Sequence, residues 1–163
     1  MFIIKPGFYD SFKCIADKCT DSCCIGWEID VDETALEKYN RINTPFGEKI
    51  RSQIIKSEDG SNCFALAENE SCPFLNENNL CNIIINCGKE YLCDICREHP
   101  RFYEWFAGVT ECGLGLCCEE VCRILLENDE PFSLVEESDG EEIFLETEED
   151  VTESDFYIFL SAF

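Results

Sequence analysis

The sequence predicts an α+β protein, in which short helices and small antiparallel hairpins surround cysteine metal centres. Two observations support this expectation. Helical spacing and strand-like alternation both occur, but each pattern is short and soon reaches a turn signal. The chain also holds fourteen cysteines and one histidine in 163 residues, and most of the cysteines fall in short runs. A doubly wound sheet is not expected, because no array of alternating strands and helices is evident.

The first predicted elements follow the densest run of cysteines. Alternation of acidic and apolar residues over 28–32 predicts a short strand. A helix over 33–42 should follow, because Asp30 and Glu33 have the spacing of a capping box. Its apolar face would contain Ala35, Leu36 and Tyr39. A second amphipathic helix is expected near 47–56, around Ile50 and Ile54.

The middle of the chain predicts compact local structure. Two apolar arms flank an Asn-rich turn over 72–81, so a hairpin would bring Cys72 and Cys81 close together. A short helix over 82–87 should end at Gly88. The segment 93–101 is basic and is interpreted as turn-rich.

The remaining elements are two hairpins and two helices. Aromatic strands are expected over 101–106 and 109–114, and a helix over 118–127 should bury Val121 and Leu125. Asp139-Gly140 predicts a hairpin between strands at 132–135 and 143–145. A last helix, over 152–163, has an apolar stripe formed by Phe156, Phe159, Leu160 and Phe163.

Three regions follow from this reading of the chain. Residues 1–126 form a cysteine-rich metal-binding domain, and residues 127–151 an acidic hairpin and linker. Residues 152–163 begin an amphipathic helix whose apolar stripe must pack against something. We therefore expect that the chain is a fragment of a longer protein, or that this helix packs on a partner.

The charge of the chain is strongly negative and uneven. The formal net charge is −23, with −8 over residues 1–118 and −15 over residues 119–163. Such a surface repels phosphate, which argues against nucleic acid as a partner. It favours a lysine-bearing protein, because acidic surfaces steer cationic partners. A solvated acidic tail that only aids solubility is the alternative.

The cysteines are interpreted according to the cellular compartment. Lys5-Pro6 interrupts the apolar start, so no secretory signal is recognised, and no apolar run is long enough to span a membrane. We expect a cytoplasmic protein, whose thiols stay reduced and serve as metal ligands or redox groups. A disulfide-stapled interaction domain is the competing hypothesis, because the cysteine count is even.

The spacing of the cysteines indicates thiolate metal sites without defining the metal. Cys19 and Cys23 are four residues apart, as are Cys118 and Cys122, and helices could present both pairs. Only one C-x-x-C pair exists, from Cys93 to Cys96, whereas a zinc ribbon needs two. The spacings of bacterial ferredoxins and of radical adenosylmethionine enzymes are absent too. His99 is open to three interpretations: an acid or base, a ligand, or a turn residue.

Several ordered motifs resemble the flagellin lysine-N-methylase family. The first is Phe12-x-Cys14-x₄-Cys19-x-Asp21-Ser22-Cys23-Cys24-x₂-Trp27. Further on come Cys72-Pro73-Phe74-Leu75, Leu80-Cys81, Cys96-Arg97-x-x-Pro100-Arg101 and Leu114-x-Leu116-x-Cys118-x-Glu120-x-x-Arg123. The first and second motifs are also similar to those of zinc- or iron-chelating cysteine-cluster proteins.

The resemblance implies an iron–sulfur enzyme, of the 4Fe–4S type, that moves a methyl group from S-adenosylmethionine to lysine ε-amines on flagellin. Carried over by position, it gives eight candidate metal ligands: Cys14, Cys19, Cys23, Cys24, Cys72, Cys81, Cys96 and Cys118. Eight thiols exceed one four-thiolate cluster, so some would be structural or serve a second site. No catalytic residue or donor-binding residue is assigned.

Two features depart from the family pattern, and other functions stay open. Cys117 and Glu119 replace a small polar residue and a proline, and family members continue well beyond a point matching Phe163. The alternative function is a non-catalytic cytoplasmic domain that chelates zinc or iron. The other six cysteines are expected to be core or incidental residues: Cys63, Cys87, Cys93, Cys112, Cys117 and Cys122.

Overall fold

A computed structural model describes residues 2–106 and 109–138, and it confirms the α+β class. The chain divides into two compact units. The sheet unit comprises Met1–Phe12, Pro100–Leu116 and Val121–Phe163. The cysteine unit comprises Lys13–His99 and Cys117–Glu120, and it contains twelve of the fourteen cysteines.

Within its described residues, the sheet unit is built on four strands in the order β4-β5-β1-β6. Their bounds are Phe2–Pro6 (β1), Arg101–Phe106 (β4), Val109–Leu114 (β5) and Leu134–Ser138 (β6). Strand β1 lies parallel to β5 and antiparallel to β6, so Ile3 faces both Thr110 and Glu137 along the ladder. The sheet is therefore mixed, and the first strand in sequence is an interior one.

The two aromatic strands are confirmed over the predicted ranges, and they pair antiparallel. Strand β1 was not predicted. Its apolar residues had been considered only as the start of a secretory signal, which Lys5-Pro6 interrupts. Strand β6 lies within the predicted hairpin region but pairs with β1. The predicted strand over 143–145 and the predicted helix over 152–163 lie outside the described residues.

The cysteine unit contains four short helices and a small hairpin. The helices are Glu33–Asn40 (α1), Pro45–Ser52 (α2), Asn82–Cys87 (α3) and Asp94–Glu98 (α4), and the hairpin pairs Ile54–Lys56 (β2) with Asn62–Phe64 (β3). Its core is aromatic: the Phe64 ring lies 6.0 Å from Tyr39 and 4.9 Å from Phe74, centroid to centroid. Cys72 and Cys93 are buried in the same cluster, so thiols and aromatic rings share one core.

Helix α1 confirms the first predicted helix and its buried face. Ala35 and Tyr39 are buried, and Leu36 packs half-buried against the same core. The predicted capping residue, Asp30, is wrong by two positions. The Asp32 carboxylate accepts the Ala35 N–H at 2.9 Å instead. Asp32 is the residue at which the extended backbone turns into the helix, so its side chain faces the first-turn N–H groups.

Three predictions in this unit need correction. The strand over 28–32 makes only an isolated bridge, from Asp30 to Cys63, although Ile29 and Val31 alternate inward as predicted. The second helix begins earlier than predicted, because Thr44 caps it and Pro45 occupies its first turn, and it ends at Ser52. Its predicted residue Ile54 belongs instead to β2.

The C-terminal elements of the cysteine-rich region are a mixture of confirmed and corrected predictions. Helix α3 and its Gly88 cap are confirmed; φ of +104° at Gly88 is a backbone region reserved for glycine. The segment called turn-rich contains helix α4. Helix α5 spans Glu119–Glu127 and buries Val121, but Leu125 is exposed, contrary to prediction.

Among the described residues, no helix combines the length and apolar character needed to cross a bilayer.

Asp32 also joins two helices, and this contact gives a testable prediction. Its second carboxylate oxygen accepts the Asp94 N–H at 2.8 Å, at the start of α4. Replacement Asp32→Ala should lower the free energy of unfolding by about 1–3 kcal/mol, since a helix cap and a second hydrogen bond are both lost. Denaturant unfolding measures this, with Asp30→Ala as the control; an equal loss in both variants would contradict the assignment.

The same contact predicts a pH dependence. Partial burial raises the pKa of Asp32, but the N–H groups of Asp94 and Ala35 outweigh burial, and the net pKa is lowered. A depressed folded-state pKa stabilises the fold above the unfolded carboxyl value of about 3.9, and that contribution disappears as the pH falls through the folded value. The stability gap between the wild type and Asp32→Ala should therefore narrow below about pH 4.

Candidate metal centres

The fourteen cysteines carry reduced thiols, and nine of those in the cysteine unit lie in two neighbouring groups. We call the first the inner thiol group; it comprises Cys24, Cys72, Cys81, Cys93 and Cys96. All five are buried in the aromatic core or packed against it. We call the second the outer thiol group; it comprises Cys14, Cys19, Cys23 and Cys118.

Backbone pairing assembles three members of the inner thiol group. The Cys72 N–H donates to the Cys24 carbonyl at 2.8 Å, which places the two residues side by side. An antiparallel bridge joins Leu75 to Cys81 across the Asn-rich turn, confirming that this segment folds back on itself. As predicted, Cys72 and Cys81 lie close together: burial is the main cause that raises the pKa of Cys72, and the Cys81 thiol raises it further. Both thiols also act electrostatically on Cys24.

The other two inner thiols lie at the start of helix α4: Cys93 is the residue before it and Cys96 belongs to it. The Cys93 and Cys96 side chains hydrogen-bond each other, an interaction that lowers the pKa of Cys93 and raises that of Cys96. The Tyr39 hydroxyl lies 3.3 Å from the Cys93 sulfur and donates to the Tyr91 carbonyl at 2.7 Å. Burial in this core raises the pKa of Tyr39 as well. The pair therefore gives up a first proton far more readily than a second.

The outer thiol group is assembled by a carboxylate rather than by strand pairing. The Glu119 carboxylate accepts the Thr20 N–H at 2.8 Å, the Thr20 hydroxyl at 2.7 Å and the Asp21 N–H at 3.3 Å. These hydrogen bonds fasten the loop after Cys19 to the residue that follows Cys118. Cys19 and Cys23 do not share a helical face, as their spacing had suggested, because residues 19–24 form bends and turns.

Two thiols of the outer group, those of Cys19 and Cys23, have raised pKa values. Burial, followed by the neighbouring Glu119 and Cys118, raises the pKa of Cys19 to about 11. Hydrogen bonding to Cys24 is the main cause that raises the pKa of Cys23 to about 12. The same hydrogen bond lowers the pKa of Cys24 and links the two thiol groups. A bound cation would lower the pKa of the thiols that it contacts, because metal binding requires thiolates.

His99 lies beside the outer thiol group. Its imidazole interacts with the Cys23 thiol, and its ring packs on Trp27 with the centroids 5.5 Å apart. The Trp27 indole N–H donates to the Cys23 carbonyl at 2.6 Å, so one aromatic side chain positions both residues. The His99 Nε2 atom is buried and has no hydrogen-bond partner among the described residues. A buried ring nitrogen without a partner is costly unless it binds something.

The side chains of the two thiol groups are of the types that bind soft metals, but their positions are not those of a bound metal site. Within residues 2–106 and 109–138, no three Cys, His, Asp or Glu side chains converge as a bound ion would require. The thiols are nevertheless grouped, and each sulfur can change position by rotation about a single bond, χ1. Four or more thiols within one fold, with the half-buried His99 imidazole beside one group, suit zinc or an iron–sulfur cluster rather than a hard cation.

All eight candidate ligands from the sequence lie in the cysteine unit and in one of the two groups. The structure divides them equally, with Cys24, Cys72, Cys81 and Cys96 in the inner group. Cys93, which was expected to be a core or incidental residue, is buried in the core, and its hydrogen bond to Cys96 also makes it a member of the inner group. Its C-x-x-C relation to Cys96 was the available signal. The sequence marked Glu119 only as a departure from the family pattern. Its contact with Thr20 joins residues far apart in the chain, so no local sequence pattern predicted it.

The cysteine-rich α+β chain is similar to bacterial flagellar and lysine-methylating proteins. It is 27% identical over 141 residues to the lysine-N-methylases of Salmonella typhimurium and Salmonella choleraesuis, covering 83% of this chain and 35% of each relative. It is 26% identical over 147 residues to the flagellar biosynthetic protein FliU of Salmonella muenchen, covering 82% of both chains. These similarities confirm the resemblance predicted from the cysteine motifs.

The share of each relative that this chain covers differs between the two kinds of protein. The chain spans about a third of the length of the lysine-N-methylases it matches, and most of the length of FliU. No family model matches the chain, and no solved structure matches it. The similarity is therefore one of sequence to named relatives, over most of this chain.

The hydrogen bond between the Cys23 and Cys24 thiols gives a third testable prediction. Only the thiolate reacts rapidly with iodoacetamide, so Cys23 should react slowly at pH 8 despite its exposure. Replacement Cys24→Ala removes the main cause of the raised pKa and should speed labelling of Cys23, since each unit of lowered pKa gives about tenfold more thiolate. Mass spectrometry of labelled peptides measures this, with exposed Cys117 as the internal control. An unchanged Cys23 rate would show that the hydrogen bond does not control its ionisation.

Proposed function

We propose that this protein acts in the methylation of lysine ε-amines on flagellin, with S-adenosylmethionine as methyl donor and an iron–sulfur cluster of the 4Fe–4S type held by the inner thiol group. The observation that carries the proposal is the similarity to lysine-N-methylases over 83% of the chain. The similarity to a flagellar biosynthetic protein supports flagellin as the substrate. Both relatives are from Salmonella, and neither name specifies a cofactor.

The inner thiol group is the better of the two for such a cluster. Cys24, Cys72, Cys81 and Cys96 would provide the four thiolates, with Cys93 hydrogen-bonded to Cys96 as a neighbour. The group sits against an aromatic core that limits access of water, a property that tunes cluster potential. When bound, the cluster would supply iron for electron transfer or ligand binding.

The chain's charge suits a lysine-bearing substrate. At neutral pH a lysine with pKa near 10.4 is protonated and is not a nucleophile, so it must lose a proton before it gains a methyl group. The donor then leaves as S-adenosylhomocysteine, and the proton passes to a base. Thirty-five acidic residues against twelve basic ones attract cationic segments of a partner and provide carboxylates for this role.

A second candidate function is a non-catalytic domain that chelates zinc or iron. One observation favours it: Cys72 and Cys93 are buried in the same hydrophobic cluster as Phe64 and Phe74. A metal held there would cross-link the 72–81 turn to helix α4, and so stabilise the fold without further chemistry.

Anaerobic purification and metal analysis separate these functions. The wild type should be brown, with about four iron atoms and four acid-labile sulfides per chain, as a cluster held by four thiolates requires. Cys72→Ser and Cys81→Ser should lose the colour and the iron. Cys112→Ser, in β5 of the sheet unit, should keep both and is the matched control. Colourless wild-type protein that contains zinc alone would overturn the iron–sulfur assignment in favour of the chelating domain.

Methyl transfer is tested on the same protein. Cluster-loaded protein, flagellin and S-adenosylmethionine with a labelled methyl group should give labelled lysine, which peptide mass spectrometry locates. Cys81→Ser should abolish the label, whereas Cys112→Ser should leave it unchanged. Loaded protein that transfers no label to flagellin would contradict the methylase assignment.

A further inference from the structure

One face of the four-stranded sheet carries a row of carboxylates. The ladder registers pair Glu104 with Glu111, Glu111 with Ile4, and Ile4 with Glu136. Residues paired across a ladder have their side chains on the same face, so these four form one row that crosses all four strands. We call this side of the sheet the acidic sheet face.

Apolar side chains flank the carboxylate row on both sides. Phe102 is 51% exposed and Leu134 is 58% exposed, although both side chains are large and apolar. The Phe102 ring lies over Gly113, in the space that a side chain at this position would fill. The acidic sheet face therefore combines exposed apolar area with negative charge. The flanking pairs are Phe102 with Gly113 and Pro6 with Leu134 on one side of the row, and Val109 with Phe2 on the other.

The three carboxylates of the row have no basic partner among the described residues. Lys5 lies on the opposite face and pairs with Asp10 and Glu137. Glu104 and Glu111 lie directly opposite each other, an arrangement of like charges that destabilises a sheet. Partial burial, followed by the charge of Glu104, raises the pKa of Glu111. A cationic group bound at this row would remove the repulsion.

We propose that the acidic sheet face binds a basic amphipathic segment of a partner protein, with its lysines over the carboxylate row and its apolar side chains over the flanking pairs. Opposite charge would steer this partner toward the sheet, and burial of the flanking apolar side chains would hold it there. For the identity of the partner, flagellin, we rely on the proposed function; binding itself requires neither a cluster nor methyl transfer.

Charge favours this occupant over two others. Residues 139–163, whose apolar stripe also needs a packing partner, carry nine acidic side chains and no basic one. A second copy of the chain has a formal net charge of −23. Either would add negative charge beside carboxylates that already repel each other, whereas lysine ammonium groups compensate them.

The spacing of the row fits an α-helix laid across the strands. Neighbouring strands are about 4.8 Å apart, so Glu111 and Glu136, with β1 between them, are separated by about 10 Å. Two turns of an α-helix advance about 11 Å, so lysines two turns apart would reach both carboxylates. Apolar residues beside these lysines would then contact Phe102 and Leu134.

The binding of a labelled helical peptide tests this docking surface. The peptide carries two lysines two turns apart with leucines beside them, and the matched control peptide has glutamine in place of both lysines. The full-length wild type should bind the lysine peptide at least about tenfold more tightly, because only that peptide forms ion pairs, and added salt should reduce the difference. Fluorescence anisotropy measures both affinities.

Two pairs of neighbouring substitutions in β6 make the test specific to one face. Glu136→Gln should weaken binding of the lysine peptide by about two- to fivefold, whereas Glu137→Gln, on the opposite face, should leave it unchanged. Leu134→Ser should weaken binding by about tenfold through lost apolar contact, whereas Val135→Ser should leave it unchanged. Circular dichroism checks that each variant is folded.

Flagellin separates the docking surface from the methylase assignment. Flagellin should bind the Glu136→Gln and Leu134→Ser variants more weakly than the wild type. Binding that follows this pattern without methylation of flagellin would support the docking surface and contradict the proposed function. Methylation of flagellin by both variants with an unchanged KM would support the function and overturn the docking surface.

Three other results would also overturn the docking surface. Equal binding of the lysine and glutamine peptides would show that the carboxylate row recognises no cation. A dimer that Leu134→Ser dissociates, seen by sedimentation, would assign the face to a second copy of the chain. Tighter peptide binding by the full chain with Phe156→Ser and Phe159→Ser would assign the face to the chain's own C-terminal stripe.

Discussion

The cysteine unit depends on one carboxylate that caps two helices at once. Asp32 accepts an N–H from the first turn of α1 and another from the first residue of α4. Helix α1 carries Tyr39, whose hydroxyl contacts the sulfur of Cys93, and α4 carries Cys96. The two helices are thus fastened at Asp32 and again at Tyr39, and these contacts set the position of the C-x-x-C pair. The backbone pairing of Cys24 with Cys72 places two more inner thiols side by side, and Cys72 is buried in the same core as Cys93.

Thiols make this arrangement compatible with an aromatic core. Burial raises the pKa of Cys72, so its side chain is neutral and packs like a small apolar residue beside Phe74. The same sulfur would become a charged ligand if a metal compensated the thiolate. A carboxylate or imidazole cluster in that position would need hydrogen-bond partners throughout. Cysteine therefore serves both the core and the candidate metal sites, and this dual use explains how five thiols share one small interior.

Local signals in the sequence predicted much of the fold, and non-local contacts account for most of what it did not. The apolar face of α1, helix α3 with Gly88, and strands β4 and β5 depend on neighbouring residues, and each was predictable. Strand β1 is only five residues long and ends at Pro6-Gly7, a turn signal, so only its pairing partners show that it is a strand. The grouping of thiols was equally hidden, because Cys118 reaches Cys19 through Glu119 and Thr20. Motif resemblance identified the eight candidate cysteines but not their division into two groups.

The place of β1 between β5 and β6 has a consequence for synthesis on the ribosome. Residues 2–6 emerge first among the described strands, but their ladder partners lie at 109–111 and 134–138. The chain between them, including all of Lys13–His99, is complete before either partner is available. Long-range pairing of this kind is slow because a large loop must close first. During that interval an apolar segment with unpaired N–H and C=O groups is exposed to chaperones and to other nascent chains.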